Sequence, residues 1–272
     1  MFEVNIEEPP EPRNLWHQLL GNLLAITFPS VCFLCGQNLH YSLAGGPCGD
    51  CWCALQPWHG SLCFRCGLPL PGQVDDPGFL CADCRRGQPH FDLARSYGVY
   101  ARKLRSAILQ VKFHAREQFG MRLGQLLIEP WQALDASTRL AGPIQIIPVP
   151  LHRSRERERG YNQARLLAGG FLRAARAQTG ALEMDLAPRC LKRKRSTVPQ
   201  SGLNLSARAE NVRNVFEVAQ PGAVRERDVV LVDDVMTTGA TASGCAAALK
   251  RAGARRVLVL TLARATPEFS DL

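Results

Sequence analysis

Hydrophobic and polar positions fall into three regimes along the chain. Residues 1–14 carry Glu3, Glu7, Glu8 and Glu11 among prolines and show no apolar period, so they are expected to be loosely attached. Leu15, Trp16, Leu19, Leu20, Leu23 and Leu24 then recur on one helical face. They predict a helix over 15–27 that either packs on the next domain or lies on a membrane surface. Residues 31–90 have few periodic segments and many Gly and Pro, which predicts a small loop-rich unit needing staples rather than a core. From Phe91 onward the pattern alternates between periods. Residues 94–100 read as a strand. Leu104, Ile108, Leu109 and Val111 predict a helix over 103–113, and a second helix follows over 117–134, ending near Pro130 or shortly after it. Residues 143–149 read as a buried strand, and 228–232 as a continuous apolar run, as expected of a central parallel strand covered on both faces. Residues 157–178 predict one long basic helix, 239–252 a further helix stopped by Gly253, and 256–262 a last strand. Strands alternating with helices predict a mostly parallel α/β sheet flanked by helices. The expected organisation is a tail and helix (1–30), a cysteine-rich unit (31–90) and an α/β domain (91–272).

Composition narrows the class. No apolar run approaches the ~18 residues of a membrane span, so no membrane insertion is expected. The acidic N-terminus is unlike the basic start of an export signal. The expected location is therefore the cytoplasm, where the eleven cysteines would stay reduced and metal binding is the better reading. A net charge of +9 points to an anionic partner, either a phosphorylated small molecule or a nucleic acid.

Nine cysteines lie within 31–90. Eight form four C-x2-C pairs: Cys32 and Cys35, Cys48 and Cys51, Cys63 and Cys66, Cys81 and Cys84. Each pair sets two thiolates on one tight turn, and two turns converging make the tetrahedral sulfur site that structural Zn2+ prefers. Pairing could be sequential or interleaved; the similar spacers, twelve and fourteen residues, favour sequential. Cys53 reads as a spare, and Cys190 and Cys245 as buried small apolar residues.

The segment 229–241, VVLVDDVMTTGAT, carries the most specific signal. A buried strand delivers Asp233 and Asp234 to its C-terminal end, where ligands of open α/β sheets bind. Thr237, Thr238, Gly239 and Thr241 then lead into a helix, whose exposed N–H groups suit an anion. Carboxylates repel phosphate, so the pair fits a ligand with hydroxyls beside its phosphate, a ribose 5-phosphate. No Walker-type loop is present.

This segment resembles the phosphoribosyl pyrophosphate (PRPP) motif of type I phosphoribosyltransferases. The runs IIPVPLHRSRERERGYNQARLLA (146–168) and TVPQSGLNLSARAENVRNVF (197–216), with the cysteine pairs, are similar to ComF-like (ComF/GntX-like) proteins. The denser basic run Lys192–Arg195 departs from that pattern. The resemblance implies a type I phosphoribosyltransferase fold with a small N-terminal double zinc ribbon. It implies Asp233 and Asp234 on the ribose hydroxyls, and Val235, Met236, Thr237, Thr238, Gly239, Ala240 and Thr241 around the 5-phosphate. Arg153 and Arg159 would bind the pyrophosphate that Mg2+ accompanies; the arginines of 153–159 also read as a solvated helix start paired with Glu156 and Glu158. Tyr161, Asn162 and Gln163 could face a ligand or form a first helical turn, and His152 could move a proton or be a satisfied polar residue. Residues 192–195 could cover the pyrophosphate or be a solvated run. The hood that holds a nucleophile would come from the cysteine unit or residues 91–100. Three functions follow: a phosphoribosyltransferase, a competence-type DNA-uptake factor that binds PRPP or single-stranded DNA and protein partners of uptake, or a zinc-stabilised interaction protein.

Overall fold

A computed structural model describes residues 30–39, 46–134, 138, 140, 142–179, 183–194 and 215–266. The expected helix over 15–27, Arg195 and nearly all of the 197–216 motif lie outside them. The chain divides into two compact units, Met1–Cys53 and Ala54–Leu272. The first holds the first four paired cysteines and a short helix α1 (Gly49–Cys53). The second holds the other four, with helix α2 (Ala82–Arg86), and the whole α/β domain.

In the second unit five parallel strands form one sheet in the order β1-β7-β6-β2-β3. They are β1 (Leu93–Val99), β2 (Ile144–Pro148), β3 (Met184–Leu186), β6 (Asp228–Met236) and β7 (Arg256–Arg264). A two-stranded antiparallel hairpin joins β4 (Leu191–Arg193) to β5 (Phe216–Val218). The mostly parallel sheet flanked by helices is as the alternation predicted. Residues 93–99 pair with β7 along the sheet edge, so that stretch belongs to the sheet and is not a hood.

Helices α3 (Arg102–Phe113), α4 (Glu117–Gln125), α5 (Ile128–Gln132) and α7 (Gln163–Thr179) precede β3; α8 (Ala240–Arg251) joins β6 to β7. Helix α7 packs against β6, β2 and β3. Helix α4 lies on it at backbone range: a Cβ on Gly124 would strike the Leu167 carbonyl, and one on Gly170 the Met121 carbonyl. A second cluster brings α8, the hairpin and the second set of paired cysteines together against Val229, Leu231, Val257 and Val259. Odd-numbered residues of β6 face that cluster, and by the period of two the even ones face the other side.

Three boundaries differ from expectation. The helix over 117–134 is two helices, because Pro130 would press its ring on the carbonyl of residue 126 and is tolerated only in the first turn of a new helix, α5. The helix over 157–178 is also two. Helix α6 (Arg153–Arg159) ends on Gly160 in the left-handed region, φ 79°, and Asn162 then caps α7, its Oδ1 accepting from the Ala164 N–H at 2.9 Å. Strand β6 runs four residues past its apolar run, because β7 continues beside it to Arg264.

The sheet order positions the site. Chain connections leave β2 toward β3 and leave β6 toward β7, so the direction of winding reverses between these two neighbours. Ligands of open α/β sheets bind in the crevice that such a reversal opens at the strand C-termini.

Candidate functional site

The crevice is where the two aspartates sit. Strand β2 stops at Pro148, paired with Val232, and β6 continues as Asp233 and Asp234 with β7 on one side only. The Asp234 N–H, beyond the last β2 pair, donates to Asp233 Oδ1 at 2.9 Å. Alternation sends the two carboxylates to opposite faces. Asp234 meets α3, where Lys112 Nζ lies 3.0 Å from its Oδ2 in a pair that is mostly buried, 19% and 8% exposed. Asp233 turns to the α8 face. Burial first, and then the Asp234 carboxylate, push its pKa up to about 8, against the pull of Lys112 and Arg193. Near neutrality Asp233 therefore holds a proton and can donate a hydrogen bond, whereas Asp234 is ion-paired: two neighbouring carboxyl groups, two roles.

The turn after β6 is three residues long. Thr237 and Thr238 are exposed, and Gly239 is buried with φ 79°. A Cβ at Gly239 would touch only the end of the Met236 side chain closely, at 3.2 Å, so the turn needs glycine for its left-handed conformation. Ala240 begins α8, whose first N–H groups open toward a small cavity lined by Asp233, Thr237, Gly239, Thr241 and Thr261. Hydroxyls, backbone N–H groups and a helix N-terminus beside two carboxyls suit a phosphate that carries hydroxyls.

Cations approach from three segments far apart in sequence. Lys112 comes from the last turn of α3. Arg193 comes from β4, half-buried over the Phe216 ring at 5.7 Å; burial lowers its basicity, as does Arg155, while Cys245 and Asp233 act the other way. Arg159 comes from the end of α6, stacked over Phe113 at 5.2 Å and bonded to Gln163 Oε1 at 3.2 Å. Arg153, Arg155 and Arg157 lie exposed on α6 and form no ion pair with Glu156 or Glu158 among the described residues. Of the run 192–195, Lys192 and Arg193 belong to β4, and Lys192 and Lys194 are exposed, Lys194 pairing with Glu217 at 3.2 Å. Tyr161 donates to the Val111 carbonyl, Asn162 caps α7 and Gln163 is buried, so these three hold the α6–α7 junction to α3 and β2. His152 caps α6 by accepting from the Ser154 N–H. Sequence reading missed Lys112, which a helix dipole alone explains at that position.

The paired cysteines group sequentially. Cys32, Cys35, Cys48 and Cys51 form one set and Cys63, Cys66, Cys81 and Cys84 the other, each with all sulfurs within 4.8 Å of one another. Metal–sulfur bonds of about 2.3 Å make a tetrahedron with edges of about 3.8 Å. The Cys35–Cys48 and Cys66–Cys81 sulfurs are 3.8 and 3.7 Å apart. Backbone N–H groups of Cys48 and Cys81 point at the sulfurs of Cys32 and Cys63, as thiolates require. Without a cation one set must share protons. Cys66 pulls Cys63 down to about 4 by hydrogen bonding and is itself pushed far up, while burial drives Cys84 to about 12. A divalent metal would remove that conflict by taking four thiolates at once. Cys53 stands outside both sets; Cys190 and Cys245 are fully buried, and burial raises both thiols.

The second set touches the phosphate turn. Arg264, buried at the end of β7, donates to the Met236 carbonyl at 3.0 Å and approaches Cys66 Sγ at 4.0 Å. Cys66, Cys84, Gln88, Phe91, Thr238 and Ser243 border a cavity of 270 Å³ between ribbon and turn. The ribbon is tied to β1 by Ala94 N–H to Arg65 O, 2.8 Å.

The double zinc ribbon domain model matches residues 23–85. The chain is 33% identical over 239 residues to the DNA utilization protein YhgH of Salmonella typhi, covering 88% of this chain and 99% of that one. It is 31% identical over 235 residues to the Competence protein F of Haemophilus influenzae, 86% and 96% covered. The chain belongs to the ComF/YhgH family. Its eight paired cysteines are the double ribbon of that family. Among solved structures, an allosteric regulatory enzyme of purine biosynthesis is similar at 21% identity over 53% of this chain and 25% of its own length, TM-score 0.33. A hypoxanthine phosphoribosyltransferase of Staphylococcus aureus is similar at 14% identity over 57% and 68%, TM-score 0.31. No helix among the described residues is long and apolar enough to cross a membrane.

Two outcomes are expected. Protein purified under reducing conditions carries two Zn2+ per chain by metal analysis, and Cys35→Ser with Cys48→Ser lowers this to one without unfolding the α/β domain; zinc-free wild type would refute the assignment. The second concerns Asp233. Between its ordinary value of 3.8 and about 8, the folded state keeps a proton that the unfolded chain releases, so its contribution to stability falls as pH rises through that window. Asp233→Asn should flatten the pH dependence of urea unfolding between pH 5 and 8 and raise stability at pH 8; an unchanged slope would show that Asp233 titrates normally.

Proposed function

We propose that this protein binds PRPP with Mg2+ in the crevice beyond β2, and that this binding serves the handling of incoming single-stranded DNA. One observation carries the reading: a phosphate turn at a helix N-terminus stands beside two neighbouring carboxyl groups on opposite faces of the strand, Asp234 ion-paired with Lys112 and Asp233 within reach of Arg193's charge. In this reading Asp233 and Asp234 take the ribose hydroxyls, and Val235 through Thr241 cradle the 5-phosphate. Arg153 and Arg159, with Arg193, face the diphosphate. Among the described residues the cysteine sets are the only groups of three or more metal-ligating side chains in mutual reach. Mg2+ would therefore arrive on the diphosphate's own oxygens and neutralise it. A site of this kind would also suit phosphoribosyl transfer, with the carboxyls offsetting positive charge at the anomeric carbon. The names of the relatives, a competence protein and a DNA utilization protein, support a role in DNA uptake.

Calorimetry tests the ligand. Wild type should bind PRPP more tightly with Mg2+ than in magnesium-free buffer, without chelators that would strip zinc. Asp233→Asn with Asp234→Asn should lose at least tenfold in affinity and keep its fold; equal affinity in that variant would refute the site.

Helix α6 favours nucleic acid as a second ligand, since Arg153, Arg155 and Arg157 are exposed and unpaired among the described residues. Labelled single-stranded DNA should bind with a log–log salt slope near −3, for about four phosphates contacted. Replacing the three arginines by alanine should remove about two units of that slope. PRPP should compete. Fluorescence anisotropy reads all three quantities, and no binding at low salt would remove DNA as a ligand.

A further inference from the structure

We propose that Lys112 is a ligand-binding cation of this site, ion-paired with Asp234 and donating its N–H groups to the diphosphate of the bound ligand; this rests on the PRPP reading above. An ammonium carries three donors and its burial is unfavourable unless they are used. Lys112 is four-fifths buried, its ion pair is with Asp234 Oδ2 at 3.0 Å, and that oxygen is buried with no hydrogen-bond partner among the described residues. The ammonium's donors are held beside the crevice.

The surroundings say which end of a ligand they serve. Lys112 lies between two residues that touch the α6–α7 junction: Tyr161 donates to the Val111 carbonyl, and Arg159 stacks over Phe113 at 5.2 Å. The last turn of α3 thus carries the ammonium to the carboxylate of β6 while its flanking residues meet the end of the arginine helix. The 5-phosphate turn lies further on, past Met236. A ligand seated with hydroxyls on Asp234 and its phosphate on Thr237–Thr241 would extend its second, diphosphate end toward Lys112 and Arg159. A lysine suits that place as a compact point charge on a flexible stem, able to keep its carboxylate and follow the oxygens at once. The pair also prevents Asp234 from adding an unbalanced charge to a site that must accept a polyanion.

The test compares two ligands that differ only in the diphosphate. Calorimetry with PRPP and with ribose 5-phosphate is run on wild type, Lys112→Met and Lys112→Arg. Lys112→Met should lose about tenfold or more for PRPP, the size of one or two charge-assisted contacts, and less than threefold for ribose 5-phosphate. Lys112→Arg should recover part of the PRPP affinity. Introducing Lys112→Met into an Asp234→Asn background should still weaken PRPP, because part of the effect does not pass through Asp234. Equal losses for both ligands would mean that Lys112 acts only by placing Asp234, and overturn the proposal. Unchanged or tighter PRPP binding would overturn it too, as expected of a lysine that merely blocks the empty crevice. If wild type binds neither ligand, the PRPP reading itself fails and the proposal with it. A thermal melt of each variant separates loss of contact from loss of fold, and should Lys112→Met not fold, Lys112→Gln gives the same comparison.

Discussion

The site depends on one geometric fact: β2 ends one residue before the first carboxyl group of β6. A neighbour strand there would fill the crevice and bury both carboxyl groups between ladders. Its absence leaves Asp233 and Asp234 at the edge of the sheet interior, where carboxylates are costly to ionise together. The period of two then separates them, one to each face, so that only one of them forms an ion pair. Asp234 acquires a close lysine. Asp233 feels Lys112 and Arg193 only at longer range, and burial with the neighbouring carboxylate raises its pKa instead. The asymmetry of the pair follows from strand geometry.

The same constraint explains the loop that follows. Because β7 continues to Arg264, β6 stays in register to Met236, and only three residues remain to turn the chain into α8. So short a turn places Gly239 against Phe91 and fixes the helix start within reach of Asp233. The second ribbon supports it from outside. Arg264 spans from the Met236 carbonyl to Cys66, and His90 N–H reaches Ser243 Oγ at 3.0 Å. The two ribbons, alike in sequence, thus differ in setting: one lies within the unit that ends at Cys53, the other is part of the core against which the phosphate turn rests.

A second buried carboxylate shows what a structural ion pair looks like in this fold. Asp228, at the opposite end of β6, is fully buried and met by Arg255 at 2.8 Å and Arg256 at 3.0 Å. Its two oxygens are each met by an arginine. Asp234 has a single cation with donors to spare, at the end of the strand where the winding reverses. The contrast between a closed pair and an open one separates support from recognition within nine residues.

The amino-acid sequence by itself determined the architecture and the reactive groups. Apolar-rich runs at 144–148 and 228–232 read as strands covered on both faces, and four C-x2-C pairs with similar spacers favoured sequential sulfur sites, so both were legible as patterns of near neighbours. The phosphate turn was legible because Asp-Asp followed by Thr-Thr-Gly puts its chemistry in consecutive residues. Tertiary structure decided what no local pattern carries. Strands β3, β4 and β5 are three residues long, too short to show a period, and they form because neighbours offer them a ladder or a core. Two predicted helices broke where Pro130 and Gly160 outweighed a continuous apolar face. Lys112 meets Asp234 across 122 positions only because the winding places the end of α3 beside the overrun of β6, and the opposite facing of the two aspartates decides which of them it meets. Spacing along the chain fixes the chemistry available at a turn; the charge balance around that chemistry is a property of how distant segments pack.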